Sequence, residues 1–71
     1  MITLPTSTRV YLSTTPTDMR KGFYSLAALV KAAGLDVYSG HLFAFLNRKR
    51  DKIKILTWHT GGFLVLYKSL E

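Results

Sequence analysis

The densest chemical feature of the sequence is a short run of basic side chains. Four cations occur within five residues and a fifth follows two positions later: Arg48, Lys49, Arg50, Lys52 and Lys54. A second pair, Arg20 and Lys21, stands where we expect a helix to begin, and the free N–H groups and positive dipole of a helix start attract phosphate. Cations grouped in this way bind the nucleic-acid backbone by Coulomb attraction, independently of base sequence.

We therefore predict a nucleic-acid-binding site that contacts DNA mainly through its phosphates. It consists of seven residues: Arg20, Lys21, Arg48, Lys49, Arg50, Lys52 and Lys54. The alternative interpretation is that the same charges keep an apolar domain soluble and block pairing at strand edges. We favour DNA because seven cations in two clusters exceed what solubility requires, although nothing in the pattern specifies bases.

The acidic and histidine side chains form no catalytic pattern. Metal-dependent nucleases need about three converging carboxylates. The acidic residues instead occupy expected caps, turns and the last position: Asp18, Asp36, Asp51 and Glu71. His41 and His59 have no cysteine or carboxylate cluster beside them, and the sequence holds neither a serine elbow nor a glycine-rich nucleotide motif. We therefore predict no enzymatic activity, no metal and no cofactor.

Aromatic side chains offer a weaker nucleic-acid signal. Bases stack on exposed aromatic rings in proteins that bind single strands. Four candidates lie at strand spacing: Phe43, Phe45, Phe63 and Tyr67. Aromatic residues at this spacing more often form a core, which is the alternative interpretation. Trp58, near the end of its expected strand, is the best candidate for an exposed ring.

A helix must position the first basic pair. Apolar residues at positions 19, 23, 26, 27 and 30 share one helical face, which predicts a helix over residues 19–31. Thr17 or Asp18 is the expected N-cap, and Gly34 is suited to end the helix. Gly22 is unfavourable inside a first turn, so either the helix starts after it or a neighbour packs closely there.

Strands must position the second cluster. Residues 9–13 form an expected first strand, and residues 41–47, 52–58 and 63–68 form three more. Short turns at 48–51 and 59–62 favour antiparallel neighbours. The prediction is a single α+β domain over residues 1–71, with the order β-α-β-β-β, in which an N-terminal strand and one packed helix accompany a small antiparallel β-meander.

Alternating positions in these strands are apolar on both sides. Residues 42, 44 and 46 oppose Phe43 and Phe45, and residues 63, 65 and 67 oppose Leu64 and Leu66. A sheet with one solvated face would alternate apolar with polar residues. Because one helix covers one face, we expect the other to meet the N-terminal segment, a second copy or a further C-terminal segment.

Size and composition set the limits on this domain. The chain has 71 residues, 48% hydrophobic residues, a net charge of +6 and no cysteine. A chain of this size buries only about 60% of its surface, and no disulfide or thiolate-bound zinc can add stability. The longest uncharged apolar run, residues 23–30, is far shorter than the roughly 20 residues that span a bilayer. With no targeting signal at the N-terminus, we expect a cytoplasmic protein without membrane contact.

Several blocks of the sequence together resemble one known family. They are residues 16–23 (Pro-Thr-Asp-Met-Arg-Lys-Gly-Phe), 26–30, 39–45 (Ser-Gly-His-Leu-Phe-Ala-Phe), 48–56 and 67–71. They are similar to the small TnpB or Orf2-like accessory protein of bacterial transposons of the insertion sequence 66 family. The resemblance implies a protein encoded beside a transposase and associated with transposition, with no established catalytic activity. Relatives usually continue past the last block with a basic helical segment, so we expect a shortened member that lacks the usual C-terminal extension.

Two functional hypotheses follow. The first is a non-catalytic accessory factor that binds DNA phosphates through the basic clusters. The second is a protein-interaction module that docks on the transposase, or on another element-encoded protein, or self-associates through an apolar sheet face. On the second hypothesis we expect a homo-oligomer that a Phe→Asp change at Phe43 or Phe45 disrupts.

Overall fold

The computed structural model describes residues 7–71 and confirms the predicted α+β class. In this part of the chain, one helix and four strands follow the order β-α-β-β-β. They are β1 (Val10–Leu12), α1 (Phe23–Ala32), β2 (Leu42–Leu46), β3 (Lys52–His59) and β4 (Gly62–Ser69). Each observed strand agrees with its expected position to within one or two residues.

The four strands form one mixed sheet in the order β1-β2-β3-β4. β2, β3 and β4 pair antiparallel, which confirms the meander. β1 pairs parallel with β2, and Val10 lies opposite Leu42. Because parallel neighbours need a long crossover, α1 lies between these two strands in the sequence and packs on the sheet.

The hairpin between β3 and β4 closes through a two-residue turn. Thr60 and Gly61 both have positive φ, at 38° and 78°, and His59 pairs with Gly62. Positive φ at both turn residues is the type I′ pattern, whose twist matches that of the flanking strands. The pairing therefore continues from this turn through Lys52 and Ser69 without interruption.

The helix α1 starts after Gly22, which is one of the two predicted alternatives, and it ends as predicted, but its N-cap differs from the prediction. The helix begins at Phe23, and Gly22 occupies the N-cap position without a side-chain hydrogen bond. The prediction of Thr17 or Asp18 as N-cap is wrong, because Thr17 is buried and its N–H donates to the Leu46 carbonyl oxygen (2.8 Å). At the other end, Gly34 has φ 77° and its N–H donates to the Lys31 carbonyl oxygen (2.9 Å), which closes the helix as expected.

The core lies between α1 and one face of the sheet. Leu26 and Val30 of the helix pack against Phe43, Phe45 and Leu56. Only 2% of Phe43 and 4% of Phe45 is exposed, so the core interpretation of these two rings is correct and base stacking on them is not. An aspartate at either position would disrupt the core, so the expected Phe→Asp test cannot report on self-association.

The opposite face of the sheet is partly exposed in the part of the chain that the structure describes, although Ala44 and Thr57 on it are buried. Leu12 is 56% exposed and Leu66 is 48% exposed, and the partly buried side chains of Ile53 and Ile55 lie between them on β3. α1 packs on the other side, as the apolar alternation predicts. We call this surface the open face and define it by the even-numbered residues of β1, β2 and β4 and the odd-numbered residues of β3.

Among residues 7–71, no helix has the length and apolar character that crossing a bilayer requires.

Candidate nucleic-acid interface

Two segments that are distant in the sequence meet at one end of the molecule. The Lys54 ammonium donates a hydrogen bond to the Lys21 carbonyl oxygen (2.9 Å). Residues 16–19, Tyr67 and most of the turn at 47–52 line a shared cleft of about 680 Å³. The structure therefore brings both predicted clusters to the same end, which we call the basic end: Arg20, Lys21, Arg48, Lys49, Arg50, Lys52 and Lys54.

The turn between β2 and β3 is organised by one asparagine. Oδ1 of Asn47 accepts hydrogen bonds from the N–H groups of Asp51 (3.1 Å) and Lys52 (3.0 Å), and its Nδ2 donates to Asp51 Oδ1 (2.6 Å). The bond from Asn47 is the main cause of a lowered pKa at Asp51, so that carboxylate stays charged. The hydrogen bonds of Asn47 fix the turn, and three of its side chains extend into solvent: Arg48, Lys49 and Arg50.

Arg20 is held by a neighbouring carboxylate. Its Nε lies 3.0 Å from both carboxylate oxygens of Asp18, and its Nη2 donates to Asp18 Oδ2 at 2.6 Å. The hydrogen bonds from Arg20 lower the pKa of Asp18 to about 2. Because the Arg20 side chain is 91% exposed, solvent screens the pair, and a phosphate can compete for the guanidinium.

Lys54 is built into the basic end rather than projecting from it. Besides its bond to Lys21, its ammonium lies 5.2 Å from the centre of the Tyr67 ring, within cation–π range. Lys54 and Lys52 are both half-buried, whereas Lys21 is exposed. The freest cations of the seven are therefore Lys21 and the three side chains of the turn.

The remaining aromatic candidates differ in how far their rings are exposed to solvent. Trp58 is half-buried and packs against Tyr38 (ring centroids 5.3 Å apart) and Phe63 (4.9 Å), so it is not the exposed ring that we predicted. Phe63 also packs against Phe23 at 4.6 Å. Of the predicted aromatic residues, Tyr67 alone is exposed at the basic end, beside Lys54.

Sequence reasoning missed two residues that shape this end. Asp18 was expected to cap the helix, yet it pairs with Arg20 and accepts the Arg20 N–H (2.9 Å) in a turn that precedes the helix. The Asp-x-Arg spacing was a usable signal, because an aspartate commonly bonds the backbone two residues on. Asn47 was counted only as the end of a strand, although an asparagine beside a charged turn is itself a turn signal.

A single protein-family model matches the part of the chain that forms both this fold and this site. The model described as "IS66 Orf2 like protein" matches residues 8–71, which include every strand, the helix and the whole basic end. The chain belongs to the IS66 Orf2-like family. This membership confirms the resemblance seen in the sequence.

A similar protein occurs in Sinorhizobium fredii (strain NBRC 101917 / NGR234). It is described as "Uncharacterized protein y4jC" and is 36% identical over 64 residues, which are 89% of the IS66 Orf2-like chain. The chain spans about half (55%) of that relative's length. No solved structure matches the chain.

Proposed function

We propose that this IS66 Orf2-like protein is a non-catalytic accessory factor of transposition that holds DNA by its phosphates at the basic end. One observation carries the proposal: Lys54 of the second cluster donates to the Lys21 carbonyl oxygen of the first (2.9 Å), and the neighbouring cleft is lined by Arg48, Lys49 and Lys52 beside residues 16–19. Two separate clusters could serve solubility, whereas cations gathered at one end of a chain of net charge +6 create a local positive potential.

The surroundings of the basic end support backbone contact. The N-cap Gly22 supplies no side-chain bond, and the first turn of α1 carries no acidic residue, so the helix start adds positive potential without a competing carboxylate. The two acids at this end, Asp18 and Asp51, are engaged by Arg20 and Asn47. We therefore expect phosphates to meet exposed cations and not free carboxylates.

The polar residues also support a non-catalytic role. Asp36 accepts the N–H of Tyr38 (2.9 Å) in a turn, and Nδ1 of His41 accepts the N–H of Arg9 (3.0 Å). Both groups hold loops: His41 lines a cleft together with His59, and Asp36 is not among the residues that line it. Among residues 7–71, no three histidine, aspartate or glutamate side chains are close enough to hold a metal ion.

The test is the salt dependence of DNA binding. Four to six phosphate contacts predict a log–log slope of roughly −4 to −5 on duplex DNA. Replacing Arg48 and Lys49 with alanine removes two exposed cations, so we expect the slope to flatten by about 2 and affinity to fall on every DNA sequence alike. Fluorescence anisotropy with labelled duplexes measures both quantities. Arg50 is left in place because its φ of 59° makes a substitution harder to interpret.

A matched control separates the basic end from net charge. The double change Arg9→Ala and Lys31→Ala removes the same charge from the opposite end of the molecule, where β1 begins and α1 ends. We expect the slope of this control to stay near the unchanged value. The proposal is wrong if the folded protein binds no DNA at about 50 mM salt, or if both double variants weaken binding equally.

The open face favours a second candidate function, docking on the transposase or another protein encoded by the same element. The observation behind it is that Leu12 and Leu66 stay about half exposed on an apolar sheet surface that α1 does not cover. Large exposed apolar surfaces commonly mark protein contacts. This function is compatible with DNA binding, because the basic end and the open face are different surfaces.

A further inference from the structure

The outer edge of β4 presents a regular row of free backbone groups. The Leu70 N–H donates to the Asp51 carbonyl oxygen (2.6 Å), and this pair continues the register in which Leu66 lies opposite Ile55. In an antiparallel pair, every second residue bonds its neighbour. The even residues of β4 therefore bond β3, and the N–H and C=O groups of four odd residues point outward: Phe63, Val65, Tyr67 and Ser69.

This edge lacks the features that usually protect edge strands. β4 runs for eight residues with no proline, and its register with β3 has no bulge. Its one charged residue is Lys68, near the end of the strand. Among residues 7–71, no strand pairs with this side of β4, which is the last strand in the sheet order. A long apolar edge of this kind is a template for a further strand.

We propose that β4 pairs antiparallel with β4 of a second copy, about a two-fold axis that passes beside Leu66 perpendicular to the sheet. In this register, Val65 lies opposite Tyr67 of the partner subunit and Phe63 lies opposite Ser69 of the partner subunit. All four outward residues then exchange hydrogen bonds across the axis. Centring the axis on Val65 leaves Ser69 without a partner within the strand, and centring it on Tyr67 leaves Phe63 without one.

Charge placement permits a second copy in this register. Lys68 lies opposite Leu64 of the partner subunit, and the two Lys68 positions are four residues apart along the strand, about 14 Å. That separation exceeds the Debye length of about 8 Å at physiological salt, so the two lysines repel weakly. The antiparallel arrangement also places the two basic ends at opposite ends of the dimer, which keeps like charges apart.

The axis also joins the two open faces. Because the two-fold axis is perpendicular to the sheet, the open faces of both subunits lie on the same side of the combined sheet. Leu66 therefore contacts Leu66 of the partner subunit. The two four-stranded sheets then form one eight-stranded sheet, whose open face is apolar at the axis and carries one Lys68 on each side of it. This dimer forms through the edge and leaves the open face available, which differs from the face-to-face association that the sequence suggested.

The first test is the molar mass of the purified chain by light scattering across a concentration series. We expect a rise towards twice the 8.0 kDa of the monomer. Leu66→Lys should return the mass to the monomer, because it sets two lysines opposite each other at the axis. Leu12→Lys is the matched control: it adds the same charge to an exposed leucine of the same face, on the far edge of the sheet, and should remain dimeric.

The second test needs no variant and therefore does not depend on one folding. Hydrogen exchange of the unchanged chain should slow at Val65 and Tyr67 as concentration rises, by tenfold or more. Exchange at Leu64 and Leu66 should change little, because these amides already bond β3. A monomer at every concentration overturns the proposal, as do odd-residue amides that stay unprotected in a dimer. A dimer that Leu12→Lys dissociates, or that Leu66→Lys leaves intact, overturns it as well.

Discussion

At the basic end, bonds between residues two to four positions apart decide which charges are available. Asp18 neutralises Arg20 through hydrogen bonds of 2.6 to 3.0 Å. Asn47 holds Asp51 in the same way, from four residues away. All cations contribute equally to the net charge of the sequence. In the structure, however, Arg20 is paired with a carboxylate and the exposed cations of the turn are not.

Removing the Asp18 charge should strengthen DNA binding. Asp18→Asn keeps an oxygen for the Arg20 N–H but loses the ion pair, so Arg20 gains freedom to contact a phosphate. We expect the salt slope to steepen by about 1, measured by fluorescence anisotropy.

Mild acid will not mimic the change. The pKa of Asp18 is about 2, lowered from 3.8, so the stabilising pair persists above pH 4 and is lost only as pH falls through about 2.

The control for this change is Asp36→Asn. Asp36 is an exposed turn carboxylate that bonds the Tyr38 N–H, and it has no arginine partner. Its loss raises the net charge by the same amount. An equal steepening in both variants would mean that overall charge, and not a freed Arg20, controls binding.

At the scale of elements, the two ends of α1 show what a sequence can reveal. The end at Gly34 was predictable because its bonds run to Lys31 and Val30 within the same helix. The N-cap was not, because the Thr17 N–H bonds Leu46, almost thirty residues away, and that bond forms only once the sheet has assembled. Local signals therefore located the helix and its end, and a tertiary contact overrode the expected cap.

The same glycine-to-serine change should have opposite effects at these two ends. At Gly22, φ is −91° and no atom crowds an added Cβ, so a serine can cap the helix; we expect a gain of about 0.5 to 1 kcal/mol. Gly34 is equally uncrowded, but its φ of 77° strains any side chain, and Gly34→Ser should cost about 1 to 2 kcal/mol. Thermal unfolding followed by circular dichroism measures both, and the same sign at the two sites would contradict this account.

At the scale of the whole molecule, the alternation of residues along each strand predicted which side chains share a face of the sheet. The sequence did not predict which distant segments lie close together. The split between Phe43 and Phe45 on one face and residues 42, 44 and 46 on the other follows from the two-residue period, and the structure confirms it. The meeting of Lys21 with Lys54 depends on how β1, α1 and β2 are arranged, and no local pattern encodes it. The seven cations of the candidate site could therefore be named from the sequence, whereas the contacts of Asp18 and Asn47 and the meeting of the two clusters could not.

Docking through the open face is testable by direct binding to the purified transposase of the same element. Leu12→Asp places a carboxylate on that face, and we expect affinity measured by calorimetry to fall at least tenfold, or about 1.4 kcal/mol. Tyr24→Asp is the control, because it introduces the same charge at an exposed residue of α1, on the covered side of the sheet. Equal weakening in both variants would point to charge, and no binding by the unchanged chain would exclude this partner. Since Leu12 lies on the edge strand farthest from β4, docking and edge pairing can be disrupted separately.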